Sequence, residues 1–243
     1  MANSAPRPLF NPQMQVVATP LSNGQCCYVV DDVLLEPERM VMWAATQQAA
    51  FQPVGFSAYP GRFLLLPAEL NAELELFFLA HMRHLFDARR LVRSHTRLSM
   101  VTLPPQALRP AQWLCHSDHF GLEPSQSIQA SVLYLFENEG LGGTGFYEPA
   151  RPAGEMKALF DDAITLSAAD FGVRYGLEPG YLQGSNHFFN RIGGVPARWN
   201  RMVFYDGTIL HTSDIPSPAL LNDDPRRGRL TLNGFYTCRR HAV

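Results

Sequence analysis

The chain has 243 residues, of which 46% are hydrophobic, and its formal net charge at pH 7 is −2. That length and composition predict one compact domain with a sizeable buried core. A net charge so close to zero excludes a general attraction to nucleic acid or to an anionic membrane surface, so we expect neither as a partner.

The sequence shows no targeting signal and no pattern of paired cysteines. No stretch reaches the roughly 18 apolar residues of a membrane-spanning helix, and the N-terminal residues lack the apolar centre of a signal peptide. The four cysteines have neither the spacing of a zinc site nor that of a disulfide framework, so we expect reduced thiols. These features favour a cytoplasmic protein.

Residues 1–93 are predicted to form a strand and helices that support the rest of the chain. A short strand is expected over 26–31, followed by a helix over about 36–50 whose first turn contains acidic residues and a proline. Residues 51–67 are aromatic but interrupted by Pro and Gly, which predicts a loop. Leucine and phenylalanine then recur at helical spacing over about 68–90, which predicts an amphipathic helix along the back of a sheet.

Residues 94–243 have the pattern of a mainly β (α+β) core. Many short strands separated by turns indicate a barrel or a sandwich. A helix is expected at about 154–169 and an irregular stretch at 176–199, so that 154–199 is an insertion in this core. The predicted strands cover residues 96–103, 112–116, 128–136, 145–147, 201–205 and 229–237.

His116 and Asp118 form a His-x-Asp pair at the end of a predicted strand. Residues i and i+2 of a strand project to the same face, as two ligands of one metal ion must. The pair is a weak signal by itself, because a hydrogen-bonded His and Asp at a strand end would have the same spacing. It gains weight only if a third ligand and a suitable cation lie further along the chain.

His211 and Arg229 supply that third candidate ligand and the cation. His211 comes after an apolar strand and a turn, where another strand is expected to begin. From Arg229 onward the sequence alternates with period two, so Arg229, Thr231 and Asn233 share one face. An arginine on an inward face needs an anionic partner, because an unpaired buried charge is costly, and a carboxylate fits the guanidinium fork.

These segments, taken in order, resemble the double-stranded β-helix core of Fe(II)/2-oxoglutarate dioxygenases of the prolyl-hydroxylase-like group, in an uncharacterised bacterial branch. The resemblance covers about residues 94–240 and is carried by Ser131–Leu135, Gly142–Tyr147, Asn200–Tyr205, His211 and Arg229–Tyr236. It implies a jelly-roll or cupin-like core, with the N-terminal helices as its support.

The same resemblance implies the chemistry of the site. His116, Asp118 and His211 fall on the iron ligands, Arg229 on the residue that pairs with the distal carboxylate of 2-oxoglutarate, and Tyr134 on a tyrosine that assists it in some members. Two histidines and one carboxylate leave adjacent positions on Fe(II) for 2-oxoglutarate and O₂. Halogenating enzymes of this class have a small residue in place of the carboxylate, so Asp118 implies hydroxylation of a substrate, or desaturation by the same hydrogen abstraction, over halogenation.

Two other functions remain open from the sequence. A divalent-metal hydrolase could use the same three ligands, although it would leave an inward Arg229 unexplained. A non-catalytic, cupin-like sensor could keep the pocket without turnover, because a fold persists without its chemistry. The substrate, whether an amino acid, a peptidyl side chain or another small metabolite, is not encoded in these motifs, and neither is the oligomeric state.

Overall fold

Antiparallel β-structure dominates the protein. The computed structural model describes residues 9–54, 59–119 and 121–241. In chain order its helices and strands are β1 (Val16–Pro20), β2 (Cys26–Val30), α1 (Pro37–Thr46), β3 (Gln52–Pro53), β4 (Gly61–Leu65), α2 (Ala68–Phe77), β5 (Arg90–Val101), β6 (Gln126–Tyr134), β7 (Gly143–Pro149), α3 (Ala153–Thr165), α4 (Ala168–Tyr175), β8 (Phe189–Val195), β9 (Met202–Asp206), β10 (Leu210–Asp214) and β11 (Arg229–Arg239).

The strands form two sheets. The larger has eight strands in the order β1-β2-β9-β6-β11-β5-β4-β3, and the smaller has three in the order β10-β7-β8, with antiparallel pairing throughout. This architecture is the expected double-stranded β-helix. The central strand β11 pairs with β5 on one side and with β6 on the other, so its inward side chains lie near the middle of the large sheet.

The two faces of the large sheet have different partners. Leu230 and Leu232 of β11 pack in a hydrophobic cluster with residues of α1 and α2. The opposite face of β11 carries Arg229, Thr231 and Asn233, which line a cavity shared with residues of the small sheet. The period-two prediction for this strand is therefore confirmed, and the α1–α2 layer lies behind the sheet as expected.

The helices are shorter than the sequence predicted. Helix α1 ends at Thr46, and α2 ends at Phe77 before a π turn over 78–82 and a 3₁₀ turn over 83–85. The helix expected to reach residue 90 stops because the chain there joins the sheet: Arg89 N–H donates to Arg239 O at 2.8 Å. Among the described residues, every helix is too short or too polar to cross a lipid bilayer.

The strand predicted over 112–116 is wrong. A 3₁₀ turn occupies Pro110–Gln112, and His116 forms only an isolated bridge with His211. Trp113, Leu114 and Cys115 are all buried, so the alternating exposure of a half-buried strand is absent.

Three other stretches differ from expectation, two because the sheets recruit them and one because a helix cap divides it. Residues 61–65, expected in a loop, form β4 through pairing with β5; residues 55–58 of that loop lie outside the described part of the chain. The stretch 176–199 contains β8, which pairs with β7. The helix expected over 154–169 is two helices, because Ser167 Oγ accepts the N–H of Asp170 and caps the start of α4.

Candidate functional site

His116, Asp118 and His211 come together beside the cavity between the two sheets. Their potential ligand atoms all lie within 4.8 Å of one another. Asp118 Oδ1 is 3.9 Å from His116 Nε2, and Asp118 Oδ2 is 3.5 Å from His211 Nε2. Paired backbone hydrogen bonds of 3.0 and 2.8 Å join His116 to His211, and Asp118 N–H donates to Gly207 O. Strand β10 carries His211, and backbone pairing with His211 and Gly207, rather than a regular strand of their own, places His116 and Asp118 beside it.

The protonation of these groups leaves the cluster able to hold a cation. Burial lowers the pKa of His211 to about 4, and desolvation and His211 lower that of His116 to about 4, so both rings are neutral at pH 7. Ile209 O lies 2.8 Å from His211 Nδ1, and because a carbonyl only accepts, Nδ1 carries the proton. The lone pair of Nε2 then faces the carboxylate.

Asp118 has the orphaned atom that a bound metal would satisfy. Its Oδ2 is buried and has no hydrogen-bond partner among the described residues. Burial raises the pKa of this carboxyl, against the opposing effects of His116 and Arg97. Two imidazole lone pairs and a carboxylate facing one another repel unless a cation lies between them, and this donor set suits Fe(II).

Arg229 is the buried cation of the same cavity, with only 2% of its surface exposed. Its Nε donates to Leu141 O at 3.0 Å and Gly142 O at 3.3 Å, and its Nη2 donates to Gly143 O at 2.8 Å. Carbonyl oxygens orient the guanidinium but do not neutralise it, and desolvation lowers its pKa. An anion in the cavity would supply the missing charge.

Tyr134 lies next to the cavity, and its hydroxyl meets Thr144 Oγ1 at 2.7 Å. Burial raises the pKa of Tyr134 to about 12, so the phenol keeps its proton at neutral pH. Thr144, not Tyr134, contributes to the cavity lining. If the Tyr134 hydroxyl donates to Thr144 Oγ1, the hydroxyl hydrogen of Thr144 is free to point toward a ligand in the cavity.

The cavity has a volume of about 170 Å³, below the roughly 300 Å³ at which drug-sized ligand pockets begin. That volume suits a small cosubstrate. Its lining includes three residues that were not predicted to face it: Tyr59, Arg97 and Thr144. Thr231 Oγ1 donates to Ser99 O at 3.3 Å and accepts from Asn233 Nδ2 at 3.2 Å, so the polar wall is itself hydrogen-bonded.

A signal for one of these residues was present in the sequence. Over β5, Arg97, Ser99 and Val101 alternate with Leu98 and Met100, which is the pattern of a strand with one mixed polar face. Tyr59 had no such signal, because it lies in an irregular stretch whose position depends on tertiary packing.

A protein-family model described as "Family of unknown function (DUF6445)" matches residues 11–236. The chain belongs to this family. No curated protein sequence matches this DUF6445 member.

The chain is also similar to solved structures. The non-heme alpha ketoglutarate dependent carbocyclase SnoK from nogalamycin biosynthesis has a TM-score of 0.51 and 17% identity, covering 90% of this chain and 84% of that chain. HygX from Streptomyces hygroscopicus, solved with nickel and 2-oxoglutarate bound, has a TM-score of 0.48 and 11% identity, covering 89% and 84%. The likeness to SnoK shows that the DUF6445 chain has the fold of a 2-oxoglutarate-dependent non-heme enzyme.

Proposed function

We propose that the protein is an Fe(II)- and 2-oxoglutarate-dependent oxygenase of the prolyl-hydroxylase-like group that hydroxylates an amino acid, a peptidyl side chain or another small metabolite. The observation that carries this proposal is the convergence of two neutral imidazoles and an unpartnered carboxylate oxygen beside a cavity that also contains a buried arginine. The ligand triad calls for a metal ion, and the arginine calls for an anion in the same small space.

Each residue has a defined part in this function. His116, Asp118 and His211 would hold the metal on one face, which leaves the other positions for 2-oxoglutarate and O₂. When bound, Fe(II) and 2-oxoglutarate supply the activation of O₂, with decarboxylation of the cosubstrate to succinate and transfer of oxygen to the substrate. Arg229 would bind the distal carboxylate through its planar fork, and Tyr134 would assist through Thr144.

The burial of the site supports the same function. His211 and Arg229 are 6% and 2% exposed, so water has little access to the guanidinium that would hold the distal carboxylate of the cosubstrate. Charge-assisted hydrogen bonds are stronger in such a setting than at the surface. The bond from His211 Nδ1 to Ile209 O keeps the ring oriented before any metal binds.

Asp118 also bears on the reaction's outcome. As the third ligand it would occupy the position where halogenating enzymes of this class admit chloride, and its charge disfavours a second anion on the same ion. Hydroxylation, or desaturation by the same hydrogen abstraction, is therefore the proposed outcome.

The two alternatives have less support. A divalent-metal hydrolase needs a metal-bound water but has no use for a buried, carbonyl-oriented arginine in the cavity. A cupin-like sensor would use the same metal ligands and differs from an oxygenase only in lacking turnover, so a turnover assay must distinguish the two.

The test measures succinate formed from 2-oxoglutarate with iron present, iron omitted, and iron replaced by zinc. The proposal expects succinate only with iron. Binding of both ligands without any succinate, including after a screen for substrates that gain one oxygen, would favour the sensor. Absence of metal-dependent 2-oxoglutarate binding would refute the proposal.

Metal binding has its own test in His211→Ala, with His84→Ala as the control, because His84 is an exposed histidine outside the cavity. Losing one of three ligands should lower Fe(II) affinity by at least about tenfold, since a two-ligand remnant loses most of the chelate advantage. Anaerobic Fe(II) titration measures it. Unchanged affinity in His211→Ala would remove His211 from the metal site.

A further inference from the structure

Arg97 is a second arginine in the cavity, and the function proposed above does not use it. It lies on β5, paired with Asn233 of β11, and lines the same cavity as the three metal ligands. Its Nε is buried and has no hydrogen-bond partner among the described residues. A buried donor left unpaired is costly, so it calls for a ligand.

Aromatic rings surround the Arg97 guanidinium. Its central carbon is 5.0 Å from the ring centre of Phe235, 5.6 Å from that of Phe63 and 6.0 Å from that of Tyr59. Such contacts hold a cation in place without neutralising it. The three rings therefore position the planar guanidinium of Arg97 and leave its charge available to a ligand in the cavity.

The charges of the loaded site leave Arg97 uncompensated. A divalent metal ion and the Arg229 guanidinium together balance the Asp118 carboxylate and the two carboxylates of 2-oxoglutarate. Within the described part of the chain, no ion pair of Arg97 is found, and Asp118 is the carboxylate whose charge acts on it. Once Asp118 ligates a metal, the loaded cavity has an excess of one positive charge.

Arg97 and Arg229 serve different regions of the cavity. Arg229 pairs with Val101, four residues from Arg97 along β5, which corresponds to about 13 Å of strand. The carboxyl carbons of 2-oxoglutarate are about 5 Å apart, because four C–C bonds of about 1.5 Å join them in a zigzag. The carbonyl oxygens of residues 141–143 hold the Arg229 guanidinium, whereas the rings of Phe63 and Phe235 hold that of Arg97, so a cosubstrate carboxylate bound to Arg229 leaves Arg97 to another anion.

We propose that Arg97 binds a carboxylate of the primary substrate, so that the enzyme oxidises a carboxylic acid whose apolar part packs against Phe235, which lines the cavity beside Arg97. The inference rests on the proposed function and makes Arg97 a determinant of substrate specificity. A bidentate carboxylate fits the guanidinium geometry and would satisfy the buried Nε as well as the excess charge.

The test compares Arg97→Met, which removes the charge at similar length, with Arg97→Lys, which keeps the charge but loses the fork. Arg93→Met is the control, because Arg93 is exposed on the same strand and lies outside the cavity lining. The probes are butyrate, benzoate and phenylacetate, their primary amides, and phenyl phosphate. Binding to protein loaded with zinc and saturating 2-oxoglutarate is measured by titration calorimetry.

We expect at least one of the three acids to bind the parent in a saturable way and its amide to bind at least about tenfold more weakly. Arg97→Met should weaken the acid by about tenfold to a hundredfold, Arg97→Lys by less, and Arg93→Met not at all. The affinity for 2-oxoglutarate should stay within about twofold in all three variants. In the iron-loaded enzyme, stimulation of succinate formation by that acid should fall in parallel.

Four results would overturn the inference: no saturable binding of any acid to the loaded parent, equal binding of acid and amide, tighter binding of phenyl phosphate than of the acids, or acid binding that Arg97→Met leaves unchanged. A large loss of 2-oxoglutarate affinity in Arg97→Met would assign the residue to the cosubstrate instead. Failure of the parent to bind 2-oxoglutarate in a metal-dependent way is a separate result, and it refutes the proposed function rather than the role of Arg97.

Discussion

Replacing Arg229 by lysine separates the charge of this side chain from its geometry. A guanidinium has five N–H donors. The one at Nε and one at Nη2 bind the carbonyl oxygens of residues 141–143, so three are left to face a ligand. Lysine keeps a positive charge but presents its three donors from one atom, so it cannot bind these carbonyls and both oxygens of a carboxylate together.

The size of the expected loss depends on this count of donors. Replacing a bidentate pair by a single contact removes one charge-assisted hydrogen bond, worth about 1.5–3 kcal/mol, which weakens 2-oxoglutarate binding by roughly tenfold to a hundredfold. Carbonyl oxygens of Leu141 or Gly142 left without a donor should lower the free energy of unfolding by about 1–3 kcal/mol. Domains of ordinary stability survive such a loss, so Arg229→Lys should remain folded.

The assay is the visible charge-transfer band that 2-oxoglutarate produces with bound Fe(II), titrated without oxygen, beside an Fe(II) titration alone. Fe(II) affinity should not change, because Arg229 is not a ligand. Arg227→Lys is the matched control, since Arg227 is exposed and two residues away. Parental 2-oxoglutarate affinity in Arg229→Lys would refute the assignment, and an equal loss in Arg227→Lys would show that the effect is not specific.

Three further predictions test the surroundings of the site. Gly142→Ala should destabilise the protein by at least about 1–3 kcal/mol and weaken 2-oxoglutarate binding, because the φ of Gly142 is +76° and a Cβ there would lie 1.8 Å from Asp214 O. A variant that melts at the parental temperature would contradict this. Burial lowers the pKa of His211 from 6.5 to about 4, so between these pH values the unfolded metal-free chain binds a proton that the folded one does not. The free energy of unfolding should therefore fall by up to about 3 kcal/mol as the pH drops from 6.5 to about 4, and chemical denaturation at several pH values should show a shallower fall in His211→Gln. Once a substrate is known, mass spectrometry of turnovers in excess chloride should show a gain of oxygen or a loss of two hydrogens, and a chlorinated major product would exclude Asp118 as a ligand.

Local pattern determined the inward face of β11. Alternation with period two is a property of any extended chain, so Arg229, Thr231 and Asn233 had to share a face whatever the strand's neighbours were. The same reasoning predicted the apolar side that packs on α1 and α2.

Tertiary pairing decided other elements against local pattern. Residues 61–65 became a strand because β5 offers them a free edge. The helix expected to reach residue 90 ended early because Arg89 pairs with Arg239 at the far end of the chain. Residues 112–116 did not form a strand because a 3₁₀ turn ends at Gln112 and only His116 pairs with another segment, through its bridge to His211. Partners distant in sequence supply those hydrogen bonds and contacts, and no local window contains them.

The features of the candidate site divide in the same way, into residues that the sequence could name and contacts that depend on the fold. His116, Asp118, His211, Arg229 and Tyr134 could be named from residue types and order along the chain, with the help of a family resemblance. The position of Arg97 beside them, the carbonyl cradle of Arg229 and the route from Tyr134 through Thr144 depend on which strands pair and in what register. A sequence determines which side chains a strand can present, whereas what each one meets depends on neighbours that only folding brings within hydrogen-bond distance.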